Sequence, residues 1–240
     1  MNKIRISAVS YTNTLPFLQG IKASATLMEQ IDLSVDYPSE CARKVLADEA
    51  DMGIIPVAAL LELPNYEIIG DYCIGSDGAV DSVFIFSSKP ITEVKRLRLD
   101  PQSRTSNGLA QILLKHYWKQ EVEVLTAGEA DAYVLIGDRT FGQKDSMPYV
   151  YDLGQYWKAL TGLPFAYAVW VANKPLPSSF KEAFNAALKD GISHPLDVIA
   201  DLPVYPNFDY EKYLTQSLDF HLTADKRKAI ETYLAYFKTL

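Results

Sequence analysis

Four short polar segments of this sequence could bind and activate a small anionic molecule. They are residues 10–14, 81–82, 103–106 and 137–139, and each falls where a predicted strand ends and a helix begins. Ligands bind at this edge of open α/β sheets, and hydroxyl, amide and free N–H groups at helix starts suit a carboxylate. Such residues also serve as ordinary caps and turn formers, so no single segment establishes a site.

One of the four segments is richer in donors than the others. Residues 103–106 read Ser103-Arg104-Thr105-Ser106, which places three hydroxyls and a guanidinium at the start of a predicted helix. Helix capping needs only one of these side chains. We therefore predict that this segment binds a ligand.

The chain lacks the motifs of the common cofactor-dependent and nucleophilic enzymes. It contains neither GxGxxG nor GxxxxGK[ST], so neither a dinucleotide nor a nucleoside triphosphate is indicated. The GSDG stretch at residues 75–78 does not have the spacing of a nucleophile elbow. His116, His194 and His221 are too scattered to bind a metal or activate a nucleophile. The sequence thus predicts no metal and no organic cofactor.

Composition narrows the class of protein and its partners. The chain has 240 residues, 48% of them hydrophobic, and a formal net charge of −7 without any strongly basic stretch. Nucleic acid is therefore not an expected partner. No apolar run reaches the length of a membrane span, and the N-terminus lacks an apolar signal core, so we expect a cytoplasmic protein. Cys41 and Cys73 are expected to be reduced and structural. The oligomeric state stays open, a homodimer included.

Strand and helix patterns alternate along the chain, which indicates an α/β protein. Two long apolar strands, at residues 82–87 and 166–172, enclose a block that can form its own core. We predict a discontinuous first lobe, 1–86 plus 173–240, and an inserted second lobe, 87–172. Two crossover strands would join the lobes, with a ligand cleft between them. From residue 178 onward the pattern predicts helices to the end, with caps at Ser178, at Ser193 or His194, at Asp209 and at Thr223.

Several longer motifs resemble those of one enzyme family. VSYTNTLPF near the N-terminus is similar to the VSYLNALPL-type opening of the MqnA chorismate dehydratases, which act in the futalosine route to menaquinone. Further matches follow in order as DGAVDSVFIFSSKPI, LDPQSRTSNGL, VLIGDR and YDLGQYWKALTGLPFAYAVWV, so the resemblance spans roughly residues 6–173. The chain departs from the family pattern at Thr12, Ala79, Asp81 and Asn107.

The resemblance implies the type 2 periplasmic-binding-protein fold in an enzyme that works inside the cell. This agrees with the two lobes predicted above. The dihydroxynaphthoate synthases of the same pathway share the fold, but they open with a PNDTF-like motif and use a cleft histidine. Neither feature is visible here. A solute-binding protein feeding a transporter, or the sensing domain of a regulator, would need an export signal or a DNA-binding segment, which the sequence does not show.

The implied substrate is chorismate, a dianion, and the implied reaction is elimination of water. The product, 3-[(1-carboxyvinyl)oxy]benzoate, gains an aromatic ring. The leaving hydroxyl needs a hydrogen-bond donor, and the proton on the neighbouring ether-bearing carbon needs a base. No histidine or glutamate in the matching motifs is placed to serve. Two bases therefore stay open, the enolpyruvyl carboxylate of the substrate itself and Asp138.

The resemblance also assigns roles to individual residues. The asparagine of the opening motif and the serine before the crossover strand are implicated at the active site of the family, and they correspond to Asn13 and Ser82. We expect a substrate carboxylate to bind the 103–106 segment, and Tyr11 and Phe165 to pack against the ring. The full predicted set is Tyr11, Asn13, Ser82, Ser103, Arg104, Thr105, Ser106, Gly137, Asp138 and Phe165.

Overall fold

The framework of the protein consists of two five-stranded sheets. We describe it from a computed structural model, which covers residues 3–240. The first sheet has the order β2-β1-β3-β10-β4 and contains β1 (Ile4–Val9), β2 (Ile31–Asp36), β3 (Met52–Pro56), β4 (Glu67–Ser76) and β10 (Phe165–Ala172). The second sheet has the order β7-β6-β8-β5-β9 and contains β5 (Val83–Ser87), β6 (Arg96–Arg98), β7 (Glu123–Leu125), β8 (Ala132–Ile136) and β9 (Tyr149–Asp152).

The two sheets share one pattern of strand pairing. In the first sheet β1 is parallel to β2 and β3, while β10 runs antiparallel between β3 and β4. In the second sheet β6 is parallel to β7 and β8, while β5 runs antiparallel between β8 and β9. The parallel strands need helical connections, which explains the alternating sequence pattern. The predicted α/β class is confirmed.

Helices cover both sheets. Helix α1 packs on α6, α3 packs on β1 and β3, and α4 packs on α5. Helix α8 contacts both β10 of the first sheet and α4 beside the second sheet. The helices are α1 (Leu15–Ala23), α2 (Ala25–Gln30), α3 (Pro38–Leu46), α4 (Arg104–His116), α5 (Leu153–Thr161), α6 (Ser178–Ser193), α7 (Tyr210–Lys212) and α8 (Ala224–Phe237).

The two long apolar strands, β5 and β10, belong to sheets other than those that the predicted lobes, 1–86 plus 173–240 and 87–172, would give them. Strand β5 belongs to the second sheet and β10 to the first, so residues 77–82 and 153–164 connect the sheets. Every residue of β5 is buried, and so is nearly every residue of β10. A strand that is apolar on both faces is predicted to lie in the middle of a sheet, but its sequence does not indicate which sheet.

The prediction of helices from residue 178 to the end is wrong for two stretches. Between α6 and α7 the only helical turn is a 3₁₀ turn at Ile199–Asp201, and residues 218–223 are extended. Pro195, Pro203 and Pro206 interrupt the first stretch, because proline lacks an N–H and disfavours a helical residue before it. Strand β9 is present in the structure but is not predicted by the sequence pattern.

The predicted helix caps have mixed outcomes. Asp209 accepts a hydrogen bond from the Lys212 N–H at 3.0 Å, and Thr223 accepts one from the Lys226 N–H at 3.2 Å, so both caps are confirmed. The predictions for Ser178 and for Ser193 or His194 are wrong. Ser178 is the first residue of α6, which begins after Pro177 without a side-chain cap, and Ser193 is the last residue of that helix.

Candidate active site

A cavity lies between the two sheets, where β1, β3 and β8 end. It has about 540 Å³ of empty volume including its mouth, and the centres of water molecules can occupy about 50 Å³ of it. Its floor and walls are apolar, and polar side chains from both sides of the cavity reach it. The polar and aromatic lining consists of Tyr11, Asn13, Thr14, Ser82, Ser103, Thr105, Ser106 and Tyr167, and the backbone of Gly137 completes it.

Ser82 is held at the cavity by hydrogen bonds from two parts of the chain. It is buried, and its hydroxyl accepts a hydrogen bond from the Tyr213 hydroxyl at 2.9 Å. Its carbonyl oxygen accepts a hydrogen bond from the Gly137 N–H at 2.8 Å. The serine is therefore fixed relative both to the end of β8 and to the C-terminal segment.

The connection before Ser82 is anchored by a buried carboxylate. Asp152, the N-cap of α5, accepts hydrogen bonds from the N–H groups of Val80 at 3.0 Å and Asp81 at 2.8 Å. Burial raises the pKa of Asp152 to about 6. Asp81 has a left-handed backbone, with φ of 60°, and its carboxylate pairs with Lys144 and accepts from Ser217. The negative charge next to Ser82 is thus paired outside the cavity lining.

Asn13 lies in a 3₁₀ turn, Thr12–Thr14, directly after β1. Its side-chain oxygen accepts a hydrogen bond from the Thr14 hydroxyl at 3.0 Å. With its oxygen engaged by Thr14, the NH₂ group is the part of the Asn13 side chain left to donate to a ligand in the cavity.

The start of α4 presents hydroxyls rather than charge. The Ser103 hydroxyl caps the helix by accepting from the Ser106 N–H at 3.1 Å, and the Thr105 hydroxyl accepts from the Ala58 N–H at 3.2 Å. Ala58 belongs to a 3₁₀ helix, Val57–Glu62, that follows β3. Arg104 is not in the lining, because its guanidinium pairs with Glu62 at the surface. The N–H groups of the first turn have no acceptor within the helix.

Asp138 sits beside the cavity but outside its lining. Its carboxylate accepts hydrogen bonds from the N–H of Thr12 at 3.0 Å and from the Thr12 hydroxyl at 3.0 Å. Burial raises the pKa of Asp138 despite these bonds. The residue ties the turn after β1 to the 3₁₀ turn Gly137–Thr140 after β8. It therefore bridges the two sides of the cavity.

The two aromatic residues predicted to contact the ring lie in different places. Tyr11 lines the cavity, and its hydroxyl pairs with Gln102. Phe165 is buried in an aromatic cluster, with ring centroids 5.0 Å from Trp157 and 5.4 Å from Tyr233, and it is not in the lining. Tyr167, two residues further along β10, contributes the aromatic surface instead.

Sequence reasoning missed Tyr167 and Tyr213. Tyr167 is part of the AYAVWV run, whose pattern indicates only a buried strand. Tyr213 lies in the C-terminal region, outside the resembling motifs, and reaches Ser82 across 131 positions of sequence. The available signal in the sequence is that each is a tyrosine in a buried segment, because the hydroxyl of a buried tyrosine usually needs a hydrogen-bond partner.

The part of the chain that the structure describes contains neither a candidate metal site nor a membrane-spanning helix. Within residues 3–240 no group of three or more His, Cys, Asp or Glu side chains is placed to hold a metal ion. Over the same residues, no helix has the length and apolar character needed to cross a membrane. His116, His194 and His221 all lie outside the cavity lining.

Comparison with solved structures defines the class of fold. An Archaeoglobus fulgidus protein aligns over 99% of this chain and 97% of its own, with a TM-score of 0.75 and 15% identity. A Candida albicans protein with the generic periplasmic-binding-protein fold aligns over 100% of this chain and 91% of its own, with a TM-score of 0.65 and 11% identity. The periplasmic aliphatic sulphonate binding protein of Escherichia coli gives a TM-score of 0.60 at 11% identity, over 100% of this chain and 87% of its own. The chain therefore has the periplasmic-binding-protein fold.

Sequence comparison identifies the family. A family model described as menaquinone biosynthesis matches residues 4–239, and the chain belongs to this family. The chorismate dehydratase of Thermus thermophilus is 28% identical over 189 residues, which are 65% of this chain and 67% of the relative.

Proposed function

We propose that this protein is a chorismate dehydratase, a hydro-lyase that converts chorismate into 3-[(1-carboxyvinyl)oxy]benzoate in the cytoplasm. The observation that carries the proposal is the convergence of Asn13, Ser82 and the hydroxyl-rich start of α4 on one cavity. The similarity to the Thermus thermophilus chorismate dehydratase supports the choice of substrate. The family model for menaquinone biosynthesis supports the pathway.

The start of α4 suits one carboxylate of a dianionic substrate. Ser103, Thr105 and Ser106 line the cavity there, and the N–H groups of Arg104 and Thr105 have no acceptor within the helix, whereas the Ser106 N–H donates to Ser103. The partial positive charge of the helix end favours a carboxylate even without a cationic side chain. The apolar floor, which includes Ile74, Val80 and Ala168, suits the ring of the substrate.

Asn13 and Ser82 are proposed to act on the leaving hydroxyl. The two residues line the same cavity, and each is already fixed by a neighbouring hydroxyl group. A fixed donor in a dry site stabilises developing negative charge on the leaving oxygen better than mobile water does. Both residues would thereby lower the barrier to loss of water.

The enolpyruvyl carboxylate of the substrate is the proposed base. No carboxylate or imidazole side chain is present in the cavity lining within residues 3–240. The rival base, Asp138, is directed to Thr12 by three hydrogen-bond contacts. Orientation of the substrate would then supply a large part of the rate increase, because the base and the proton belong to one molecule.

The direct test is incubation of the purified protein with chorismate. We expect catalytic formation of 3-[(1-carboxyvinyl)oxy]benzoate, followed by chromatography with mass detection. Saturable binding without turnover would instead indicate a non-catalytic binding protein. Turnover of the cyclic futalosine product, but not of chorismate, would indicate a dihydroxynaphthoate synthase.

The pH dependence of turnover distinguishes the two candidate bases. If the substrate carboxylate is the base, kcat should change by less than about threefold between about pH 7 and 9, because no lining carboxyl or imidazole titrates and Asp152, whose pKa is about 6, stays ionised in this range. If Asp138 is the base, it works only when ionised, and burial raises its pKa. Activity would then fall as the pH drops through that raised pKa.

The variant Asp138→Asn provides the matching mutational test. It keeps the size of the side chain and an oxygen that can accept from Thr12, and we expect it to keep kcat within about threefold of wild type. A loss of about a hundredfold or more in a folded protein would assign the base to Asp138 and contradict the proposed mechanism.

Turnover is expected to need no metal and no organic cofactor. Dialysis against an excess of EDTA should leave kcat within error of the untreated protein. A chelator-treated protein that loses activity and regains it with one added metal ion would refute this expectation.

A further inference from the structure

Tyr213 combines deep burial with a contact to the site. Its side chain is 1% exposed, and its hydroxyl lies 2.9 Å from the Ser82 hydroxyl. It does not line the cavity described above. The residue begins a π-helical turn, Tyr213–Ser217, directly after α7. Such turns are rare in proteins, and many of those that occur lie at functional sites.

We propose that Tyr213 is a positioning residue, which donates a hydrogen bond to Ser82 and so directs the Ser82 proton into the cavity. This inference rests on the proposed dehydratase function. It extends that function to a residue in a part of the chain that carries none of the resembling motifs.

The hydrogen-bond inventory explains why one donor fixes the serine. A hydroxyl has one proton to donate and two lone pairs to accept with. When Tyr213 donates to Ser82, one lone pair of Ser82 is occupied, and its own proton must go to another acceptor. Within the described residues, the Ser82 hydroxyl has no hydrogen bond other than that with Tyr213. A substrate oxygen in the cavity is then the acceptor available to it.

Tyr213 is well suited to be a permanent donor. Burial raises the pKa of its phenol, so the hydroxyl stays protonated over the whole range in which the protein would work. The phenol thus always has a proton to donate to Ser82, one of the two residues proposed to act on the leaving hydroxyl.

The surroundings of Tyr213 hold the phenol in place. Its ring packs against Phe141 and Phe208, with centroid distances of 5.2 Å and 5.4 Å. At the other end of the π-helical turn, the Ser217 hydroxyl donates to Asp81 at 2.8 Å. The turn therefore contacts two consecutive residues of the connection, Asp81 and Ser82. This double attachment sets the position of the serine more firmly than packing alone.

The test uses Tyr213→Phe, which removes the hydroxyl and keeps the ring. We expect kcat for chorismate to fall about tenfold to a hundredfold, as for the loss of one oriented donor, while KM stays within about threefold. The matched control is Tyr210→Phe. Tyr210 packs in the same aromatic cluster, 5.0 Å from Phe208, but its hydroxyl donates to the Pro203 carbonyl. The control should keep wild-type kcat.

A double variant separates positioning from stability. If Tyr213 acts through Ser82, then Tyr213→Phe in the Ser82→Ala background should change kcat by less than about threefold. Equal and multiplicative losses in the two backgrounds would overturn the inference. If Tyr213→Phe does not fold, 4-fluorophenylalanine at this position serves as a second variant that keeps the ring but cannot donate.

The possible outcomes distinguish a failure of the proposed role of Tyr213 from a failure of the proposed dehydratase function. Wild-type kcat in a folded Tyr213→Phe protein overturns the positioning role and leaves the dehydratase proposal intact. Absence of turnover in the wild-type protein overturns both. A loss in kcat with unchanged KM, together with an active Tyr210→Phe protein, supports both.

Discussion

Replacing Ser82 by alanine is expected to lower kcat for chorismate at least about tenfold, and Asn13→Ala is expected to do the same, because each removes one oriented donor from a dry cavity. KM should change less than kcat, since the start of α4 and the apolar floor remain to bind the substrate. Steady-state kinetics of the two variants beside wild type measure both parameters.

Ser82→Ala should also lower stability by a moderate, measurable amount. Ser82→Ala leaves the Tyr213 hydroxyl without its partner, which costs about 1–3 kcal/mol for a buried donor. That corresponds to a decrease in Tm of about 2–4 °C per kcal/mol in a chain of this size. Thermal unfolding of each variant therefore separates a loss of catalysis from a loss of fold.

A triple variant with His116, His194 and His221 all replaced by glutamine is the control. None of the three lines the cavity, so it should keep most of the wild-type kcat. Normal turnover by Asn13→Ala, or an inactive but folded triple-histidine variant, would contradict the site assignment. Neither result would affect the fold.

Gly137→Ala is expected to damage the site by a different route. Gly137 has φ of 63°, and an added Cβ would lie 2.7 Å from a ring carbon of Tyr11. The left-handed backbone costs about 1–2 kcal/mol for alanine. The contact would also displace the Tyr11 ring, which lines the cavity. We expect kcat/KM to fall by about tenfold or more, since a shift of about 1 Å in a positioned group can cost about a hundredfold.

The matched control for this variant is Gly162→Ala. Gly162 ends α5 with φ of 74°, and an added Cβ would meet nothing within 4 Å. Both alanines carry similar backbone strain, but only the one at position 137 touches the site. We expect both proteins to lose stability and only Gly137→Ala to lose activity. Equal kcat/KM for the two variants would mean that the Tyr11 ring has no part in binding.

The opening and central motifs of the sequence predict most of the polar lining of the cavity. Tyr11, Asn13, the hydroxyls of residues 103–106 and Gly137 follow predicted strands, whereas Ser82 begins one. All of them reach the cavity. Local sequence determines strand ends well, since the apolar alternation stops where the polar residues begin. In an open α/β sheet those ends meet at one edge.

Side-chain direction is harder to predict than position. Arg104 lies in the same helical turn as Ser103 and Thr105, yet its guanidinium reaches Glu62 at the surface. Phe165 lies in the distinctive TGLPF motif, yet it packs in the core with Trp157. Which face of a helix or strand meets the ligand depends on the neighbouring elements, and a motif does not contain that information.

The sequence by itself determined the α/β class, most strands, two of the four predicted C-terminal helix caps and the residues at the strand ends, because these follow from local periodicity and capping chemistry. Tertiary structure alone decided that β5 joins the second sheet and β10 the first. The same holds for the ion pair of Asp81 with Lys144, which lies outside the cavity lining. Tertiary structure also decided that Tyr213 reaches Ser82 across 131 positions. The physical reason is that burial and pairing depend on which segments meet in space, and contacts between distant segments leave no local pattern in the chain.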